Sequence, residues 1–190
     1  VAERDLSLVD RPEPASNSGA GHGALLEESS ADVWSTADLF DQHEHSVDVC
    51  DTTFLRFGRR RAFSGVCETV LTDDDHQIVL EVLMQPGDGR VLVVDAGGNK
   101  RVGVMGDRLA RIGTENGWAG VVVNGAIRDS EIIDQFDFGV LAVAVTARRS
   151  LEAARGRQGA EIHFGGASFR SGCWVYADAN AVLSSKKKLD

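Results

Sequence analysis

Residues 103–129 read GVMGDRLARIGTENGWAGVVVNGAIRD, and this stretch decides the fold. Gly106-Asp107 stands where a helix would begin, and an acidic residue there suits the exposed amides and the positive end of the helix dipole. Leu109, Ile112 and Asn116, with Ala110 and Gly113, give that helix a lightly built packing side. Gly113 weakens the helix by roughly 1 kcal/mol relative to alanine, so another backbone is expected to come close there. Gly117 is the predicted stop. Val121-Val122-Val123 is a β-branched run that predicts a buried strand, and Asn124-Gly125 predicts a turn. Arg128-Asp129 follows, with Ser130 and Glu131 opening another helix at Ile132-Ile133. One helix out and one strand back brings Asp107 and Arg128-Asp129 to one mouth.

Such a mouth has a definite chemistry. Free amides at a helix start bind anions. Arg128 offers a planar fork that holds a carboxylate in two hydrogen bonds. Asp129 and Asp107 add hard oxygen donors suited to Mg²⁺ or Mn²⁺ with retained waters. Together these suit a small 2-oxo acid: Arg128 and amides for its carboxylate, a Lewis acid for its keto oxygen. Out of context an Arg-Asp dipeptide is ordinarily a solvated surface pair, and an Asp opening a helix is ordinarily a cap.

The motif resembles the RraA-like family, which joins the regulator of ribonuclease E activity A to the 4-hydroxy-4-methyl-2-oxoglutarate aldolases, class II pyruvate aldolases. The resemblance rests on Asp107, twenty intervening residues, then Arg128-Asp129, with Gly106-Asp107 in front and NGAIRD behind. Ser35 to Leu39 (STADL), Phe57-Gly58 through Phe63-Ser64-Gly65, Val93 to Gly98 (VVDAGG), His163 to Gly166 and Tyr176-Ala177-Asp178 extend it to about residues 35–183. It implies an α/β chain with the layered β/β/α swivelling-domain fold, assembled as a homotrimer or hexamer. It implies a divalent-metal-dependent lyase that cleaves 4-hydroxy-4-methyl-2-oxoglutarate to pyruvate and also decarboxylates oxaloacetate, through a metal-stabilised pyruvate enolate. Asp129 would be the direct metal ligand, and Arg128 would bind the substrate carboxylate and steady the enolate. The backbone of Gly106, Asp107, Arg108 and Leu109 would line the pyruvoyl pocket. Asp107 would hold a water on the metal and relay a proton. Family members that act as ribonuclease regulators tend to have lost the final Asp, which this chain keeps. The alternative is a noncatalytic regulator that binds a ribonuclease or helicase through its acidic surface. The chain departs from the family pattern at Gly172-Cys173 and Asn180-Ala181, both read as turn positions.

The remainder fits one catalytic domain, residues 34–185, between a flexible N-terminal tail, 1–33, and a short C-terminal tail, 186–190. Length supports one sizeable core, and 43% hydrophobic with 26% charged residues is ordinary for a globular protein. A net charge of −9 argues against direct nucleic-acid binding, which needs a basic face. Three cysteines without metal-ligand spacing fit a reducing, cytoplasmic setting. No apolar run has the length of a signal peptide or a membrane span, so neither is expected. The N-terminal tail is expected to be disordered, to lie over a neighbouring subunit, or to dock through Leu25-Leu26.

Further elements are predicted as a helix over Thr36 to His43 and short strands at Val47 to Val49 and Phe54 to Phe57. A strand follows over 63–71, then a helix from His76 to Leu83 and a strand from Arg90 to Asp95. His43 and His45 read as a solvated helix end. Arg59-Arg60-Arg61 reads as a solvated face or a contact with another subunit's acidic surface. Asp95 to Asn99 reads as a flexible wall of the Arg128 pocket. It is too poor in glycine for the loop of a nucleotide or S-adenosylmethionine binder, which disfavours a methyltransferase. Val140 to Val145 predicts a core strand, and Arg148 to Gly159 a mobile loop with four arginines. Glu161 to Phe164 and Cys173 to Tyr176 predict strands joined through Gly165-Gly166 and Ser171-Gly172. Val182-Leu183 closes the domain, and Lys186-Lys187-Lys188 is a solvated tail.

Overall fold

The computed structural model describes residues 34–150 and 156–190, and the readings made for 1–33 lie outside them. In chain order the elements are α1 (Thr36–His43), β1 (Val47–Val49), β2 (Leu55–Phe57), β3 (Phe63–Leu71), α2 (Gln77–Leu83), β4 (Val91–Met105), α3 (Asp107–Glu115), β5 (Gly120–Ile127), α4 (Ser130–Ile133), β6 (Gly139–Val145), β7 (Arg157–Gln158), β8 (Ile162–Phe164), β9 (Ala167–Phe169), β10 (Trp174–Ala177) and β11 (Val182–Ser185).

Strand β3 divides the layers. Its first half pairs antiparallel with β10, which continues through β11 to β1 at the edge. Its second half pairs parallel with β4, and β4, β5 and β6 follow in parallel, with β2 antiparallel at the far edge. The strand order is therefore β1-β11-β10-β3-β4-β5-β6-β2. Side chains of the parallel strands alternate between two apolar layers. Leu92, Val94, Val121, Val123, Val140 and Ala142 pack with α2 and α3 residues such as Val79, Leu83, Leu109 and Ala110. Val91, Val93, Val122 and Leu141 face Phe63, Phe169, Val175 and Ala177 instead. This is the β/β/α layering expected, and it explains the near-continuous valine runs, since each strand is covered on both faces. Each such valine contributes about 1.5–3 kcal/mol by leaving water.

Local readings held where a signal had one meaning. Ser35 caps α1, accepting from the Asp38 amide, and β3 spans the predicted residues. Gly117, in the left-handed region at φ 77°, stops α3. The structure departs from the sequence reading elsewhere. Asn124-Gly125 does not turn the chain; β5 continues through it, with a register shift against both β4 and β6. A Cβ on Gly125 would lie 2.8 Å from that of Ala96, so this glycine makes room for β4. Gly113 faces the Phe138 ring and Leu83, not a second backbone. Asp95 to Asn99 is no free loop: it lies in the bulged middle of β4, where Asp95 accepts from the Asn124 side chain at 2.8 Å. Strand β9 was missed; it pairs with β8 through the tight turn at Gly165-Gly166, both left-handed. Within the expected loop of 148–159, β7 pairs with β3, while 151–155 lie outside the described residues. Arg60 pairs with Asp137 at 2.9 Å and Arg59 donates to the Gln135 carbonyl, so two of the three arginines are engaged within their own chain, while Arg61 is exposed. Lys186 to Lys188 are exposed as expected, but Leu189 beyond them is buried beside Tyr176, whose hydroxyl accepts from its amide at 2.7 Å.

Asp178 ties α1 to the turn before β11. It accepts from the Thr36 amide (2.8 Å), the Thr36 hydroxyl (2.7 Å) and the Asn180 amide (2.7 Å). Burial alone would raise its pKa, but these hydrogen bonds outweigh it and hold the carboxyl below its ordinary range. A depressed folded pKa gives stability that is complete above the unfolded value, near 3.8, and is lost as pH falls through the folded one. Asp178→Asn is therefore expected to cost about 2 kcal/mol at neutral pH. Thermal unfolding should show the variant and wild type converging as pH drops below about 4; parallel curves would show that the carboxylate charge is irrelevant.

Candidate active site

The site follows from strand direction. Because β4 and β5 are adjacent and parallel, Met105 and Ile127 end side by side, and α3 and α4 both begin at that edge. Clefts outside the carboxyl ends of parallel strands are where open α/β sheets bind ligands. Gly106 occupies the cap position of α3 in an extended conformation, and Asp107 is the first helical residue. The first amides of such a helix lack a carbonyl one turn back, and of these the Leu109 amide is taken by the Gly106 carbonyl at 3.1 Å.

Arg128 lies along the end of β4. Its amide donates to the Met105 carbonyl at 2.9 Å. A Cβ on Gly103 would sit 3.2 Å from Arg128 Cγ, and one on Gly106 would sit 3.1 Å from it and 2.8 Å from Asp129 Oδ2. Two glycines three residues apart thus form the groove that takes the arginine stem. Sequence reasoning used Gly106 and missed Gly103, although their spacing was the available signal. Asp129 is left-handed at φ 56°, which swings its carboxylate back to Arg128 Nε at 2.8 Å. That hydrogen bond and the charge behind it raise the pKa of Arg128; slight burial opposes them and Asp107 adds to them. Both side chains stay about one-third exposed, so the pair is available to a ligand.

The structure therefore gathers Gly106, Asp107, Arg128 and Asp129. Arg108 is exposed, whereas Leu109 is buried in the helix layer and its amide already donates to the Gly106 carbonyl at 3.1 Å, so the structure does not turn Leu109 toward a ligand. Concavities of about 580 and 360 Å³ lie elsewhere, around Ser168 and Lys186 and around Thr52 and Asp178; the cleft at Arg128 is a partly exposed shelf at the ends of β4 and β5.

The Aldolase/RraA description of the RraA-like family matches residues 36–183. The chain belongs to that family. This RraA-like chain is 40% identical over 154 residues to a protein of Hahella chejuensis named "Putative 4-hydroxy-4-methyl-2-oxoglutarate aldolase", covering 81% of this chain and 94% of that one. A Bacillus cereus protein of the same name is 36% identical over 83% and 99% of the two chains. Among solved structures, the RNA-processing inhibitor RraA from Thermus thermophilis superposes with a TM-score of 0.80 at 34% identity, over 83% of this chain and 96% of that one. A Geobacillus kaustophilus structure named S-adenosylmethionine:2-dimethylmenaquinone methyltransferase gives 0.79 at 40% identity, over 82% and 97%. In the RraA-like chain described here, Gly97-Gly98 lies inside β4 and opens no helix. Among the described residues, no helix is long and apolar enough to cross a membrane.

Proposed function

We propose that this RraA-like protein is a divalent-metal-dependent carbon–carbon lyase that cleaves 4-hydroxy-4-methyl-2-oxoglutarate to pyruvate and decarboxylates oxaloacetate. The observation that carries the reading is the meeting of Arg128 and Asp129 with the start of α3 at the ends of two parallel strands.

Among the described residues no three His, Cys, Asp or Glu side chains cluster. A caged metal such as structural Zn²⁺ does not fit that arrangement. Mg²⁺ or Mn²⁺ does, since these ions take one or two carboxylates and fill the remaining positions with waters and substrate oxygens. Asp129 would hold the ion, with Asp107 beside it. When bound, the ion supplies Lewis acidity toward the keto oxygen.

The chain's own residues do the rest. Arg128 takes the substrate carboxylate in its fork, opposite the amides of Asp107 and Arg108, which fixes the keto acid against the shelf. Asp107 takes the proton of the C4 hydroxyl as the C3–C4 bond breaks, and a proton returns to C3 of the pyruvoyl half. Loss of carbon dioxide from oxaloacetate leaves the same electron pair at C3, so one site serves both reactions. A homotrimer or hexamer would bring a neighbouring subunit to the shelf, and the free thiols fit a cytoplasmic setting.

A second reading is a noncatalytic regulator of a ribonuclease or helicase, favoured by the likeness to the Thermus RNA-processing inhibitor. Pyruvate release from both substrates, with and without EDTA and after Mn²⁺ or Mg²⁺ is restored, separates the two. The lyase reading expects turnover to fall at least a hundredfold with EDTA and to return with metal. Absence of metal-stimulated pyruvate from either substrate would leave the regulator.

A further inference from the structure

Cys67 and Cys173 lie outside the shelf, and Cys173 stands at a departure from the family pattern, yet the fold pairs their strands at these two residues. The antiparallel register of β10 on β3 pairs Ala177 with Phe63 and Trp174 with Val66; one step further places Cys173 opposite Cys67. Backbone hydrogen bonds fix that step: the Cys67 amide donates to the Cys173 carbonyl at 2.7 Å, and the Gly172 amide to the Cys67 carbonyl at 2.9 Å. Gly172 is left-handed at φ 91°, so the pair sits at a glycine bulge that ends the ladder. The direct backbone hydrogen bond from Cys67 to Cys173 joins neighbouring strands, which lie about 4.8 Å apart, within the roughly 4.4–6.8 Å between Cα atoms that a disulfide spans. Both thiols also border the same apolar layer, with Phe63, Val91 and Val175.

Their exposures differ in a useful way. Cys67 is 1% exposed, whereas Cys173 is half-buried and lines the concavity of about 580 Å³. Arg170, Lys186, Lys187 and His45 line the same concavity, with Asp48 as its acidic member. Arg170 is paired with Glu161 at 2.7 Å, which leaves Lys186 and Lys187 as the cationic members of this entrance in a chain of net charge −9. Burial, with Cys173 and Glu68 nearby, raises the pKa of Cys67, which makes it a poor first nucleophile.

We propose that Cys67 and Cys173 are a redox-active dithiol, closed to an intramolecular disulfide by a small anionic disulfide of the glutathione type admitted through this concavity. The Cys173 thiolate attacks one sulfur of the small disulfide, and the other sulfur leaves as a thiolate that takes up a proton. Cys67 then gives up its proton and attacks Cys173 Sγ, expelling the second small thiol. Two cysteine thiols are oxidised and one small disulfide is reduced to two thiols. Under reducing conditions the pair stays open; under disulfide stress it ties β3 to β10, the junction where the two sheets meet. Cys50 borders the same apolar layer but is buried beside Phe164 and Gly165 and shares no backbone hydrogen bond with Cys67 or Cys173, so it stays outside the exchange.

The test uses the full reduced chain with glutathione disulfide, quenching by N-ethylmaleimide, intact mass and a non-reducing peptide map. Expected is the loss of two hydrogens, one peptide linking Cys67 to Cys173, and reversal by dithiothreitol. Cys173→Ser, at a half-buried bulge, should fold and should show neither the link nor a glutathione adduct. Cys67→Ser, if it folds, should stop at a persistent single adduct on Cys173. A wild-type chain that keeps a stable adduct on Cys173, links through Cys50, or remains fully alkylatable overturns the proposal. None of these readouts depends on lyase activity.

Discussion

Asp129→Asn is expected to keep the fold and to lower pyruvate formation about a thousandfold, equivalent to roughly 4 kcal/mol of transition-state stabilisation. The choice of asparagine follows from the backbone. Asp129 is left-handed, a conformation that asparagine tolerates nearly as well as aspartate and that alanine does not. The carboxylate makes no capping bond to α4 and pairs with a neighbouring, partly exposed arginine, so its charge contributes little to stability. What the variant removes is the charged oxygen that would hold a divalent cation. A coupled assay of pyruvate from oxaloacetate at saturating Mn²⁺, beside the melting temperature, reads both halves. Turnover within tenfold of wild type would show that Asp129 holds no metal that matters to the reaction.

The second large effect concerns stability. Gly120 and Gly139 are paired at the starts of β5 and β6, and the ring of Phe63 lies over them. A Cβ on Gly120 would come 2.7 Å from Phe63 Cδ2 and 2.7 Å from the Gly139 carbonyl oxygen. The ring cannot retreat, because Phe63 is 4% exposed within the layer between the sheets. Gly120→Ala should therefore cost about 3 kcal/mol through overpacking and lower the melting temperature by roughly 6–12 °C. Adding Phe63→Leu to it should cost less than the sum of the two single changes, since the smaller side chain relieves part of the clash. Strict additivity in thermal unfolding would show that ring and glycines are energetically independent.

Glycine also marks the limit of what could be read from the chain. In Gly106 and Gly117 it served as punctuation, and α3 was bounded correctly from it. In Gly125 the same residue type, after Asn124, carried a turn signal that the sheet overrode. A local turn preference is worth about 1 kcal/mol, and an interior strand gains ladder hydrogen bonds and burial on both faces against it. The missed strand β9 exists because it can lean on β8 across the Gly165-Gly166 turn. The shelf was legible in part for the same reason. Asp107 and Arg128-Asp129 were found by their spacing, but the groove made by Gly103 and Gly106 is visible only when β4 lies beside β5.

By itself the sequence determined which segments bury apolar faces, where α3 starts and stops, and that a guanidinium and two carboxylates stand at the ends of those segments. These follow from periodicity and side-chain chemistry, which act over a few residues. The tertiary structure alone decided that β5 passes through Asn124-Gly125, that Leu189 docks on Tyr176, that Asp178 anchors α1, and that Cys67 faces Cys173. Each of these depends on a partner far along the chain, and a contact of that kind is set by which strands lie side by side and in what register.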